Sequence, residues 1–371
     1  MAGKTGMIID ADSHIEEPDE VWNFIDEPYR YRRPVAVKRP NLTGPFAQDM
    51  FWLIDGQAYP RPLGYGPSLY GTPVSSTFAK SKKFSIESQT LVPASARIAD
   101  MDRLGIDLQV LFPTLFLDLM SPDVGLEAAL MRSYNTWLAQ TCAPHTKRLK
   151  WVAIIPVRSP PAAVEELRRV KALGAVAMLV LGTAGDSFLH EPAFDAVWAE
   201  AERLNMPIAM HVGWSMQSLH SKMNTIFCST TFVAVPMMFG LFSMVGGGVL
   251  DRFPRLRVGF FEAGADWLPY MAPRMERYWQ VYTAKQWPGT PRRNPVDWFS
   301  GGNIYFSCEG DERFLPQVAE LLGEDHLMTS ADLPHEEALE DSIREIRERG
   351  DISETLKRKI LDDNPSRFFG F

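Results

Sequence analysis

The chain of 371 residues is 46% hydrophobic and 23% charged, with 10 Trp and 22 Phe, the make-up of an ordinary globular protein with ample material for a large core. A net charge of −8 and a pI near 5.5 argue against nucleic acid or an anionic membrane as partner, since both demand clustered Lys and Arg. Cys142, Cys228 and Cys308 are odd in number and far apart, so they form no CxxC pair and no disulfide framework, which fits a reducing cytoplasm.

The opening MAGKTGMIIDADSH lacks the long apolar run of a secretory signal. Eight short apolar runs then follow in chain order: MIID (7–10), LQVLFPT (108–114), LKWVAIIPV (149–157), AVAMLVL (175–181), PIAMHV (207–212), RVGFFEA (257–263), NIYFSC (303–308) and HLMTSAD (326–332). Between most of them lie amphipathic helical stretches. PPAAVEELRRVKALG (160–174) has Pro at its start and Gly at its end, and PAFDAVWAEAERLN (192–205) is followed by Pro207. Continuous apolar strands alternating with helices imply a parallel sheet buried on both faces. Eight such units predict a closed (β/α)8 TIM barrel, one α/β domain over 1–371, and the glycine-rich phosphate loop of a doubly wound sheet is missing after the first strand.

Three segments stand outside this rhythm. Residues 28–95 are rich in Pro, Gly, Tyr and Phe with no sustained period, and are expected to form an irregular insertion, a lid or a subunit contact, at the catalytic face. FVAVPMMFGLFSMVGGGVL carries Pro236 and a run of glycines, which predicts a buried helix and turn rather than a membrane span. The charge run from Glu336 to Glu354 alternates in sign along a solvated helix face. The expectation is a soluble, cytoplasmic protein.

In a (β/α)8 barrel the active site sits at the C-terminal ends of the strands. Asp12 and His14 are two residues apart near the end of the first strand, on one side of an extended chain. His211, Glu262, Glu309 and Asp332 each end or follow a later apolar run, where an unpaired carboxylate or imidazole is costly to bury. Any one of them alone is more often structural. Together they suggest a Zn, Mn or Fe centre with a position left open for water, whose pKa the cation lowers. No G-x-S-x-G motif is present, and no Cys has a neighbouring base in sequence.

The segments IDADSHIEEPDEVW, MHVGW, FFEAGADWLPYMAPRME, SADLPHEE and LDDNPSRFFGF resemble the amidohydrolase-related family (amidohydrolase family 2), in its aminocarboxymuconate-semialdehyde decarboxylase-like branch, which also holds the resorcylate-type decarboxylases. The resemblance spans the chain apart from 28–95. It implies one divalent metal held by Asp12, His14, His211 and Asp332, a dimer or higher oligomer, and a lyase acting on a small carboxylated molecule, with decarboxylation slightly favoured over hydrolysis. Ala331 interrupts the family's Ser-Asp-x-Pro-His segment here.

Decarboxylases of this branch often end strand 6 with a proton-transferring histidine, and here that place holds Glu262, which becomes the expected general acid or base. His335 is expected as a catalytic group, a ligand or an orienting partner. Glu17 completes Asp-x-His-x-x-Glu, and with Glu262 and His335 could hold a second metal. That would make a dinuclear Mn/Fe enzyme, hydrolytic or oxygen-activating, whereas the structural alternative for Glu17 is a first-turn helix acid. Trp214, His220 and Glu309 are expected substrate contacts, with core packing the alternative for Trp214. Arg61 and Arg274 are candidates for a substrate carboxylate. A non-catalytic paralogue paired with a related subunit is a third reading, and the four retained metal positions argue against it.

Overall fold

A computed structural model describes residues 6–39, 48–61, 70–223, 225–301, 303–335 and 341–371. Its strands in chain order are β1 (Ile9–Ile15), β2 (Val35–Lys38), β3 (Met50–Ile54), β4 (Gln57–Tyr59), β5 (Leu108–Pro113), β6 (Leu149–Ile154), β7 (Ala177–Leu181), β8 (Ile208–His211), β9 (Val258–Phe261), β10 (Ile304–Cys308) and β11 (Leu327–Thr329). β1 and β5 to β11 form one parallel sheet in the order β1-β5-β6-β7-β8-β9-β10-β11. Its two edges meet, because His14 N donates to Leu333 O and Asp332 N donates to Asp12 O. The sheet therefore closes into the expected barrel.

Each of the eight apolar runs yields one barrel strand, and side-chain alternation explains why the runs carry no polar face. Val110 and Phe112 join Ile9, Ala11, Ala177, Leu179, Ala209 and Tyr305 inside the barrel. Their neighbours Leu111, Ala153, Val180 and Met210 point outward into the layer under the helices. The helix Pro160–Ala172 has Pro in its first turn and buries Ala163, Leu167 and Val170, one face at i, i+4 and i+7.

β1 outruns its apolar signal. The run 7–10 continues as strand to Ile15 through Asp12, Ser13 and His14, all fully buried. Its pairing with β5 slips by one residue between Asp10 and Ser13, a bulge of the kind that re-aims side chains near sites.

The expectation of an irregular 28–95 needs correction where the chain is described. β2, β3 and β4 form a small antiparallel sheet in the order β2-β3-β4, and two short helices follow at Thr77–Ser81 and Ile86–Thr90. Trp52 of β3 is buried edge-on against Trp22, ring centroids 5.6 Å apart. Arg32 ties the sheet to the barrel side through Asp55 and Asp123, both at 2.6 Å.

Phe227–Arg252 is long and apolar enough to cross a membrane, and half of its most apolar window is buried in the protein. It is broken into helices Ile226–Thr231 and Ala234–Leu241, a π-turn at Phe242–Gly246 and a last turn at Val249–Arg252. In the charge run, 336–340 lie outside the described residues, and the helix Ser342–Glu348 buries Ser342, Ile343 and Ile346 while Arg344, Arg347 and Glu348 face solvent.

Candidate metal centre

Six of the expected residues supply donor atoms to one spot at the C-terminal mouth of the barrel. The ligand atoms of Asp12, His14, His211 and Glu262 lie within 4.8 Å of one another, as do those of His14, Glu262, Asp332 and His335. His14 Nε2 is 3.0 Å from Glu262 Oε2, 3.4 Å from Asp332 Oδ1 and 3.6 Å from Asp12 Oδ1. His211 Nε2 is 3.1 Å from Glu262 Oε2 and 3.4 Å from Asp12 Oδ1. Ligands about 2.1 Å from a common ion stand roughly 3.0–3.4 Å apart, so these separations suit a single cation.

The hydrogen bonding points the same way. His14 Nδ1 lies 2.7 Å from Pro113 O and His211 Nδ1 lies 3.0 Å from Val212 O. A carbonyl only accepts, so each Nδ1 carries a proton, and each Nε2 faces the centre, where it has a lone pair to give a cation whenever the ring is neutral. Both oxygens of Asp12, Nε2 of His211 and Oδ1 of Asp332 are buried with no hydrogen-bond partner. Such atoms are costly to leave unsatisfied, and a divalent cation satisfies them together.

Charge gives the third line. Burial pushes the Asp332 carboxyl well above its ordinary range, and the charge of Glu262 adds to the push. Burial would also raise Glu262, but positive charge on His211 and a hydrogen bond from His14 outweigh it and hold Glu262 well below its ordinary range. Burial works against protonating His14 and His211, yet the neighbouring carboxylates win and both are raised. Burial and the His14 charge push His335 well below its ordinary value, so it is neutral. Two imidazoles thus compete for the role of counter-ion to Asp12, Glu262 and Asp332, a role that a divalent cation fills while leaving both rings neutral.

The backbone is bent to build this arrangement. Glu262 and Asp332 have φ of 63° and 47°, left-handed values uncommon for non-glycine residues. At Gly213, with φ of 151°, an added Cβ would stand 2.4 Å from Leu117 O, so only glycine lets the loop after β8 close against the loop after β5.

His335 has further contacts within the cluster, and Glu309, Trp214 and His220 lie in two other places. His335 stacks on His14 with ring centroids 4.2 Å apart, Nδ1 2.9 Å from Asp332 Oδ1 and Nε2 3.1 Å from Thr114 Oγ1. Glu309 follows β10, where burial and then the charges of Asp311, Asp332, Glu262 and Asp12 push its carboxyl up to about 7. Trp214 and His220 stack on each other at 5.8 Å beside Asp118, whose carboxylate lies 3.5 Å from both His220 Nδ1 and Arg61 Nε. Asp118 also borders a largely apolar cleft lined by Phe116, Met131, Ile155 and Leu181.

Glu17 stands apart from this cluster. Its two oxygens accept from Thr114 N and Leu115 N, each at 2.9 Å, and it belongs to neither donor group. Both oxygens are thus engaged in holding the turn after β5. Burial pushes its carboxyl up to about 8 despite those two bonds, with Glu16 adding to the shift. The folded chain thus keeps a proton that the unfolded chain gives up above about 4.5, so the stability present at low pH is lost as pH climbs to about 8. Melting of the metal-free protein from pH 5 to 9 should show that decline, and Glu17→Gln should lessen its slope. An unchanged slope would contradict the assignment.

Sequence reasoning passed over Asp10, Gln109 and Arg97, all fully buried beneath the centre. The available signal was Asp10, two residues before Asp12 and four before His14, closing a run (7–10) that is otherwise apolar.

A closed parallel barrel with imidazoles and carboxylates converging at its strand ends defines a metal-centred barrel enzyme. The chain belongs to the amidohydrolase family, whose model matches residues 90–371. It is 27% identical over 290 residues to the gamma-resorcylate decarboxylase of Rhizobium sp. (strain MTP-10005), covering 74% of this chain and 86% of that one. Its fold is similar to that of an amidohydrolase from Mycobacterium avium subsp. paratuberculosis K-10, with a TM-score of 0.80 at 21% identity over 99% of this chain and 98% of that one. It is also similar to the 5-carboxyvanillate decarboxylase of Novosphingobium aromaticivorans complexed with manganese, with a TM-score of 0.66 at 20% identity over 80% and 87% of the two chains.

Proposed function

We propose that this protein is a metal-dependent, non-oxidative decarboxylase of a small aromatic carboxylic acid. The observation that carries the reading is the buried, unpartnered donor set of Asp12, His211 and Asp332 around His14 Nε2. Asp12, His14, His211 and Asp332 would hold one divalent ion, and manganese is favoured because it is present in the related 5-carboxyvanillate decarboxylase structure. When bound, the ion supplies Lewis-acid polarisation of a substrate oxygen.

The chain's own groups do the rest. Glu262 keeps 24% side-chain exposure while Asp12, His14 and His211 keep none, so it is the carboxylate of the set most open to substrate and solvent. It relays a solvent proton to the ring carbon from which CO2 departs, so that a C–H bond replaces the C–C bond. Neutral His335 lies beside Asp332, its Nδ1 2.9 Å from Oδ1, and lines the mouth. Glu309, protonated up to about pH 7, offers the substrate a hydrogen-bond donor. Trp214 and His220 form a flat wall suited to an aromatic ring. Tyr70, from the insertion, packs on His335 with ring centroids 4.4 Å apart, which supports a lid role for that segment.

The test is release of CO2 from hydroxylated aryl carboxylates, gamma-resorcylate and 5-carboxyvanillate first, by the manganese-loaded enzyme. The expected result is one CO2 per arene formed. Cleavage of amide or ester analogues with no CO2 from any acid in the panel would overturn decarboxylation in favour of hydrolysis.

A further inference from the structure

The barrel closes at the seam between β1 and the segment after β11, and the metal ligands sit on both sides of that seam: Asp12 and His14 on one, Asp332 on the other. The backbone bonds from His14 N to Leu333 O and from Asp332 N to Asp12 O cross the seam, and on its other edge β1 carries the bulge in its pairing with β5. A set of fully buried side chains adds further links across the seam. Asp10 Oδ1 accepts from Ala331 N at 3.0 Å and from Asp12 N at 3.3 Å. Asp10 Oδ2 accepts from Ser13 Oγ at 2.6 Å and from Gln109 Nε2 at 2.8 Å. Ser13 Oγ in turn accepts from Leu333 N at 3.1 Å. Asp10 and Ser13 therefore stitch β1 to the residues on either side of Asp332.

Arg97 holds this stitch from below. It lies on the helix Ala94–Leu104 with no exposed surface, and its guanidinium reaches three separate segments. Nη1 donates to Gln109 Oε1 at 3.0 Å, Nη2 to His14 O at 2.9 Å, and Nε to Ser88 O at 3.0 Å. The planar fork fixes directions that a lysine ammonium would leave free. Every named member has a partner, and a fully satisfied buried network rigidifies what it joins.

We infer that Arg97, Gln109, Asp10 and Ser13 form a positioning relay that sets the spacing of Asp12 and His14 against Asp332, and thereby the affinity of the centre for its metal. None of them is a catalytic residue: Arg97 and Asp10 bond the backbone of His14 and Asp12, while Ser13 acts through Leu333 N and Gln109 through the side chains of Asp10, Ser13 and Arg97. Partners of this kind are typically worth about 10–100-fold in metal affinity.

The inference rests on the metal site proposed above, and the experiment separates the two. Manganese binding is titrated by the electron paramagnetic resonance signal of free Mn2+ for the wild type, Gln109→Met, Arg97→Lys and Ser13→Ala, with metal-free melting measured alongside. Leu167→Ala, a core truncation on the helix Pro160–Ala172 away from the seam, is the control for general destabilisation. The expected result is about 10-fold or greater weakening in Gln109→Met and Ser13→Ala, a smaller loss in Arg97→Lys, and wild-type affinity in Leu167→Ala. Wild-type affinity in Gln109→Met and Ser13→Ala would overturn the relay, as would a loss in Leu167→Ala that follows its lowered melting temperature. If Gln109→Met does not fold, Ser13→Ala decides. A wild type that binds no manganese would overturn the metal site itself.

Discussion

Glu262→Gln is expected to lower kcat by about 10²–10⁴-fold while the purified variant keeps its metal, the range usual for loss of a positioned proton-transfer group. The side chain lies 3.0 Å and 3.1 Å from the two imidazole Nε2 atoms and is the most exposed of the carboxylates around them. Glutamine preserves its size and one oxygen but cannot carry the proton that replaces the departing carboxylate. Asp12, His14, His211 and Asp332 remain to hold the ion, so metal content separates the two roles of Glu262. An unchanged kcat would contradict the proton-transfer role. A fall in kcat accompanied by loss of metal would make Glu262 a ligand instead.

Asp332→Ala is expected to weaken metal binding by roughly 10²–10³-fold, since ten or more kcal/mol of binding shared among four ligands is about 3 kcal/mol each. Activity should fall with the metal. A second readout comes from the cost of this residue in the empty site. Its carboxyl is raised well above its ordinary range by burial, and its Oδ1 has no hydrogen-bond partner. Metal-free Asp332→Ala should therefore melt no lower than the metal-free wild type, whereas the manganese-loaded wild type should melt well above both. Lower stability of the metal-free variant, with metal binding intact, would show Asp332 to be a structural acid.

The barrel was legible because its strands are buried on both faces, which leaves runs such as AMLVL and VGFF with no polar interruption. The donor residues were legible for the complementary reason, since charged groups at the ends of such runs are costly without a shared purpose. The sheet β2-β3-β4 was not, because Val35, Val37 and Leu53 lie exposed and its strands are short, so neither alternation nor continuity marks them. The placement of Glu17 was not legible from local spacing. Three residues after His14 it completes a plausible motif, but its partners are backbone amides 97 and 98 residues away, which no spacing discloses. The links from Arg97 to His14 O and from Asp10 to Ala331 N likewise join segments 83 and 321 residues apart.

The central claim is that Asp12, His14, His211 and Asp332 hold one catalytic divalent ion. Plasma mass spectrometry of the wild-type protein, purified after growth with added manganese and exchanged into chelator-free buffer, tests it most directly. The account predicts about one equivalent of divalent metal per chain. No metal in that preparation and none after reconstitution would contradict it, and two equivalents would restore the dinuclear reading that the placement of Glu17 argues against.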